Sequence, residues 1–256
     1  MTVASTTIVA MPRVIALAPH PDDEAYAFGG TLRLLANAGW TCEVLLFTDG
    51  EAGKRHDGGH PDAVRTARVN EALASCALLG ASARFLNLPD GGLTDESLGG
   101  YVDTLLADFR SMGTDGIVLS LGSDGAYGHP DHLAVYRMLL VCLEALGSAA
   151  PAALLASFPP GLFLPQYERC RDMMGDPPQP PPEAIGSDSF DVAVDIGKVA
   201  GTKLAAIGAH RTQLPGGQAH ALFPPGIVAS LLNEERFSVL YPEKLALPRE
   251  ISVSRR

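Results

Sequence analysis

The chain predicts an α/β fold built on a mostly parallel sheet, with a less regular C-terminal part. Three observations predict it. Short apolar runs recur at Val14–Ala18, Cys42–Phe47, Arg84–Leu88 and 116–121, each too short for a helix and each followed, directly or after a loop, by a helical pattern. Strands alternating with helices imply parallel βαβ units joined by right-handed crossovers. Two His/Asp clusters fall just after the first and fourth of these runs, at carboxyl ends of strands, where open α/β sheets bind ligands.

The elements follow in order. Residues 1–12 read as a loose lead-in to the strand at 14–18. A helix is expected from about Tyr26 to Ala38, stopped by Gly39. After the second strand, the loop Thr48–His60 is rich in Gly and Asp and carries Lys54, Arg55 and His56. It is long for a βα connection, which marks it for substrate contacts. Ala63–Leu79 is a strong helix pattern ending at Gly80. The third strand, 84–88, runs into the turn Pro89-Asp90-Gly91-Gly92, and Thr94 opens a helix to about Arg110. The fourth strand leads through the second cluster to a helix over Leu133–Leu146. Ala152–Phe158 reads as a fifth strand. Pro159–Ser189 holds many prolines, including 180–182, and reads as a partly extended loop or excursion. A strand returns at Phe190–Val194 and a helix at Gly197–Gly208, followed by His210; from Leu240 onward the chain reads as strand or tail. No internal repeat or domain boundary is visible, so residues 1–256 are expected to form one domain.

Composition narrows the function. The 256 residues carry a formal net charge of −10 and are 46% hydrophobic, ample for a sizeable core. No Lys/Arg run is present, which argues against a nucleic-acid footprint and against a hold on anionic lipid. Neither a signal peptide nor a membrane span is read. Cys42, Cys76, Cys142 and Cys170 form no CxxC pair and read mainly as buried thiols, suiting a cytoplasmic protein. A homo-oligomer is compatible with all of this.

The first cluster, His20-Pro21-Asp22-Asp23-Glu24, puts one imidazole and three carboxylates where a strand hands over to a helix. Such groups repel one another unless something positive sits among them. A divalent metal would serve, and so would a plain acidic helix N-terminus stabilised by the helix dipole. The second cluster, Gly128-His129-Pro130-Asp131-His132, decides for metal. It too follows a buried strand and opens a helix, with Pro130 suited to the first helical position and His129 and His132 three residues apart. His60-Pro61-Asp62 spells the same motif but follows a glycine-rich loop, and reads only as the start of the 63–79 helix.

If His20, Asp23 and His132 hold zinc, three protein ligands leave a position for water, the catalytic arrangement. Zinc brings the pKa of such a water to about 7. Asp22, between two ligands, is placed to act as general base. His129 is placed to stabilise an oxyanion, with Asp131 orienting that imidazole. The constellation suits metal-assisted amide or ester hydrolysis. A nucleotide-binding module is rejected, because carboxylates stand where a G-x-G-x-x-G turn would meet a pyrophosphate.

The two clusters together resemble those of the PIG-L/LmbE-like deacetylases, zinc enzymes that remove an acetyl group from N-acetylglucosaminyl compounds. Thr48-Asp49-Gly50-Glu51, Arg68 with Glu71, Leu88-Pro89-Asp90-Gly91, and Lys203, His210 and Gln213 resemble further elements of that family. The His clusters are specific as a pair; the others are weak singly. The resemblance implies a Rossmann-like three-layer sandwich, zinc on His20, Asp23 and His132, and Asp22 as base. It implies His129 as oxyanion stabiliser and as acid to the leaving amine. It implies Tyr127 near the oxyanion and Arg68 against the sugar or its partner; an ordinary loop aromatic and an Arg68–Glu71 salt bridge are the alternatives. The substrate expected is a small, polar N-acetylglucosaminyl compound, with a larger thiol-sugar conjugate or other N-acyl compound as the alternative. Another divalent ion such as Fe2+ could replace zinc in the cell. The 159–189 segment matches nothing in the family and is expected to shape the pocket.

Overall fold

The computed structural model describes residues 11–222 and 224–255. The N-terminal part alternates as expected: β1 (Arg13–Ala18), α1 (Asp23–Asn37), β2 (Thr41–Thr48), α2 (Val64–Leu79), β3 (Ala81–Leu88), α3 (Asp95–Gly99), α4 (Val102–Met112), β4 (Ile117–Leu121), a distorted turn α5 (Gly125–Gly128), α6 (Pro130–Leu146) and β5 (Ala152–Ala156). There follow α7 (Leu164–Cys170), β6 (Val192–Asp195), α8 (Ala200–Ala209), α9 (Ile227–Ser230), β7 (Glu234–Leu240) and β8 (Val253–Arg255).

One eight-stranded sheet has the order β3-β2-β1-β4-β5-β7-β6-β8. The pairs among β1 to β5 are parallel, whereas β7 lies antiparallel to both β5 and β6, and β8 antiparallel to β6. Between β1 and β4 the winding reverses: β2 and β3 extend one way, β4 and β5 the other. The carboxyl ends of β1 and β4 therefore flank the crevice where such sheets bind ligands.

Both faces of the sheet are covered, which is why its strands read as unbroken apolar runs. Val14, Ala16 and Ala18 pack with Phe28, Leu32 and Leu35 of α1, Cys76 and Leu79 of α2 and Ile207 of α8. Their alternates Ile15 and Leu17 face Phe109 of α4 and Val135, Leu139 and Cys142 of α6 on the other side. The four cysteines are free thiols, three of them buried. With the turn after it, α6 spans Pro130–Ala149, 20 residues of mean hydropathy 1.3, long and apolar enough by composition to cross a membrane. In the fold this helix is a core element packed against the sheet, and its first turn carries site residues.

Several boundaries differ from expectation for identifiable reasons. α1 begins at Asp23, so the acidic cluster is the first turn of the helix rather than its prelude. The helix expected from Thr94 is two, broken at Gly99-Gly100, with Thr94 and Ser97 forming a reciprocal cap. The strand β7 was not anticipated. Its alternating inward residues include Glu235, a buried carboxylate, beside Phe237, so no apolar alternation shows. Glu235 accepts hydrogen bonds from the mid-helix N–H groups of Gly30 and Thr31, 2.8 Å each, and from Lys203 Nζ at 2.6 Å. Gly30 has to be glycine, since Ile196 occupies the place of a Cβ. The 159–189 excursion is partly ordered by α7 and has a small core of Tyr167, Met174 and Ile185, with the Tyr167 hydroxyl donating to Pro180 O at 3.1 Å.

Candidate active site

The site starts where β1 ends. His20 is nearly buried, and its backbone N–H donates to Asp23 Oδ2 at 2.9 Å. Across the crevice, His129 is the N-cap of α6 and Pro130 its first residue, as the spacing predicted. The His129 and His132 rings stack with centroids 4.7 Å apart. Thus the end of β1 and the start of α6, 112 residues apart, meet.

The donor atoms converge. His20 Nδ1 lies 3.1 Å from His132 Nε2 and 3.5 Å from Asp23 Oδ2, and His132 Nε2 lies 3.4 Å from the same oxygen. Ligand atoms at about 2.0–2.1 Å from a tetrahedral zinc stand about 3.3–3.4 Å apart, so these three atoms fit three corners around one ion. The outer hydrogen bonds agree. His20 Nε2 faces Asp131 Oδ2 at 3.0 Å and Asp90 Oδ1 at 3.2 Å, and His132 Nδ1 faces the carbonyl of Gly125 at 2.9 Å. These outer acceptors suit a tautomer with the proton on each outer nitrogen and a lone pair turned inward, the form metal-bound imidazoles take. Asp90 and Asp131 together with His20 form a second group of acidic donors. Asp131, however, also accepts from the N–H groups of Gly91 at 2.8 Å and Leu93 at 2.9 Å, which suits it to hold the ring and not an ion.

Electrostatics point the same way. Burial pushes His20 down, but the carboxylates of Asp131, Asp23 and Asp90 outweigh it and leave its pKa raised. Burial pushes Asp23 up, yet the imidazoles of His132 and His20 hold it well below the usual carboxylate range. His132 is lowered, chiefly by burial, with Asp23 opposing. The cluster favours positive charge at the point where the three donors meet.

Asp131 differs from expectation. Its carboxylate holds His20, not His129; only its backbone N–H reaches His129, donating to Nδ1 at 3.2 Å. The reason is local: a residue just inside the helix turns its amide, not its side chain, to the N-cap. With Nδ1 accepting, a neutral His129 carries its proton on Nε2. Burial first, then the neighbouring His132 and His20, lower its pKa to about 3, so neutral is its ordinary state.

Asp22 adopts φ 125, ψ −29, unusual for a residue other than glycine. Burial raises its carboxyl to about 6 against the pull of Arg68. Arg68 is buried and engaged: Nη2 is 3.3 Å from Asp22 Oδ2, Nη1 is 3.7 Å from Asp90 Oδ2 and 3.0 Å from the carbonyl of Gly50, and Pro21 O accepts a further bond. The alternative bridge to Glu71 is not what forms, because Glu71 is taken by the N–H and hydroxyl of Thr212, at 2.8 and 2.7 Å. Tyr127 stands over His132 and His129, with centroids 5.3 and 5.8 Å away, placed there by the positive φ of Gly125, Ala126 and Gly128. His60 of the decoy motif is largely exposed at the start of α2.

His20, Asp22, Asp23, Arg68, Tyr127, His129 and His132 line a cavity of about 440 Å³, whereas Asp131 stands behind it. Ala52, Gly53 and His56 of the 48–60 loop form one wall, and Phe163, Gln166, Arg169 and Met173 of the excursion form another. Sequence reasoning had not committed to Asp90, although it stands in the turn after a strand at the same end of the sheet. It had also not assigned Glu24, which follows Asp23 and bonds His210 at 2.7 Å.

The family model described as GlcNAc-PI de-N-acetylase matches residues 15–143, which hold every residue of this site from His20 to His132. The chain belongs to the PIG-L family. Curated relatives include 1D-myo-inositol 2-acetamido-2-deoxy-alpha-D-glucopyranoside deacetylases. That of Mycobacterium sp. (strain JLS) is 28% identical over 83% of this chain and 78% of its own. That of Mycolicibacterium smegmatis is 26% identical over 93% of both chains. Among solved structures, N,N'-diacetylchitobiose deacetylase from Pyrococcus horikoshii aligns with TM-score 0.60 at 22% identity, covering 89% of this chain and 83% of that one. GalB, a 4-carboxy-2-hydroxymuconate hydratase from Pseudomonas putida, aligns with TM-score 0.63 at 20% identity, covering 94% of this chain and all of that one. A hydratase and a deacetylase thus share this fold, so the fold alone does not select the reaction. The family match makes the chain one of the N-deacetylases, which are hydrolases.

Proposed function

We propose that this PIG-L-family protein removes the acetyl group from a small N-acetylglucosaminyl compound, using zinc held by His20, Asp23 and His132. The observation that carries this is the meeting of those three donor atoms beside Asp22 and His129 in one cavity. When bound, such an ion polarises a carbonyl and makes water acidic. Asp22 accepts the proton of the attacking water, its carboxylate fixed by Arg68. His129, with Nε2–H free to donate, stabilises the developing oxyanion. Because it is neutral it keeps that proton, so the proton that Asp22 takes from water is the one passed to the leaving amine, in place of the acid role expected for His129. Asp131 orients His20 from behind. Tyr127 and Arg68, both lining the cavity, are the proposed substrate contacts, Arg68 also serving Asp22.

The cavity volume suits a small ligand. That, with the relatives' inositol-linked N-acetylglucosamine, supports a soluble sugar rather than a polymer or a bilayer lipid. The free, mostly buried thiols support a reducing, cytoplasmic setting. The test compares kcat/KM on simply substituted N-acetylglucosamines, a chitin oligomer series and a glycolipid, scored by free amine. The highest value is expected on the small compounds. Values that climb with oligomer length, or that need detergent-presented lipid, would overturn the substrate class. Metal content of protein prepared without chelator should be one divalent ion per chain.

A further inference from the structure

Two fully buried polar side chains have no part in the mechanism above: Glu24 and His210. Glu24 Oε1 lies 2.7 Å from His210 Nε2, and Glu24 Oε2 accepts the backbone N–H of Asp22 at 2.9 Å. Asp22 is the residue held at φ 125, a strained conformation for a residue other than glycine that persists only where its surroundings enforce it. The carbonyl of Asp22 is fixed from the helix side, accepting from Ala25 and Tyr26 at 3.0 and 3.2 Å. Its N–H is fixed by Glu24. His210 ties the other oxygen of that carboxylate, so Glu24 is held at both ends.

His210 is itself anchored. It follows α8, its N–H donates to Ile207 O at 3.2 Å, and its carbonyl accepts from Gln213 at 3.0 Å. Two residues on, Thr212 clasps Glu71 with two hydrogen bonds. Glu71 sits one turn beyond Arg68 on α2, and Arg68 faces the Asp22 carboxylate. The short segment 210–213 therefore grips Asp22 twice, through Glu24 on the backbone side and through α2 and Arg68 on the side-chain side.

We infer that His210 is a positioning residue for Asp22: through Glu24 it enforces the backbone conformation that aims the Asp22 carboxylate into the cavity. This rests on the reading of Asp22 as general base. His210 is the better probe than Glu24, which adjoins a metal ligand.

The test is a double-mutant cycle on the metal-loaded enzyme with His210→Ala, Asp22→Ala and the pair, measuring kcat, KM and metal per chain. His210→Ala is expected to lower kcat about 10- to 100-fold, the scale of a misplaced group, with KM and metal content little changed. His210→Gln, whose amide can donate from about the position of Nε2, should recover most of the rate. In the Asp22→Ala background, His210→Ala should cost nothing further, because its effect runs through the missing carboxylate. If the alanine variant does not fold, His210→Gln and His210→Met, close in volume, carry the test, with Gln the faster. Equal additional loss in the Asp22→Ala background, loss of metal on changing His210, or Met as fast as Gln would overturn the inference. An Asp22→Ala enzyme as fast as the wild type would instead overturn the base assignment beneath it.

Discussion

Adjacent carboxylates point in different directions here because the backbone turns between them. Asp23 Oδ2 points at two imidazole nitrogens, whereas the Asp22 carboxylate points at a guanidinium. Asp23→Ala is therefore expected to lose the metal, and Asp22→Ala to keep it while losing most turnover, on the order of 10²–10⁴-fold for a general base. Metal analysis beside kcat separates the two; equal metal and equal rates would show the roles misassigned. The pH profile follows from the same geometry. Burial raises Asp22 to about 6, so its basic form is lost as pH falls, and kcat/KM should decline on the acid side at about pH 6, or lower once a bound cation adds its pull. Arg68 pulls that value down, so Arg68→Met should move the acid limb to higher pH. At this scale the convergence of His20, Asp23 and His132 was legible in the sequence, since residues just after β1 and at the start of α6 are fixed by local geometry. It was misleading for Asp131, whose partner is chosen by how the crevice closes.

At the scale of elements, the parallel half was readable because strands covered on both faces must be continuously apolar. The antiparallel addition was not. β7 hides behind Glu235, and that glutamate makes sense only with Lys203 and the mid-helix N–H groups of α1 in place. The Lys203–Glu235 pair ties α8 and β7 to the helix that carries the first cluster. Removing one member leaves a buried charge with weakened compensation, so Lys203→Met is expected to cost about 3–5 kcal/mol. Urea denaturation checks this. Lys203→Met combined with Glu235→Gln should recover part of the loss, because the uncompensated charge is gone. A single-variant cost below about 1 kcal/mol would show the pair to be dispensable.

At the scale of the whole molecule, the proposed ion is a cross-link. Asp23 and His20 belong to the β1–α1 junction, His132 to α6 after β4, and no hydrogen bond from the backbone of one junction to that of the other occurs among the described residues. β1 and β4 are neighbours in the sheet; beyond their ends the two junctions meet through the side-chain cluster, in which two imidazole nitrogens and a carboxylate oxygen lie within 3.5 Å of one another. An ion bound there favours the folded chain, because the unfolded chain does not hold those donors together. At a free concentration of 100 times Kd the linkage is worth about 2.7 kcal/mol. For a chain of this length 1 kcal/mol moves Tm by about 2–4 °C, so stripping the metal should lower Tm by about 5–11 °C. The decrease should reverse on adding zinc, and it should be absent in Asp23→Ala, which has lost a corner of the site. Asp22→Ala should keep it in full while remaining slow. Calorimetry of these three proteins with and without chelator separates a metal that joins the two halves of the crevice from one bound elsewhere: in the second case Asp23→Ala would respond to chelator as the wild type does.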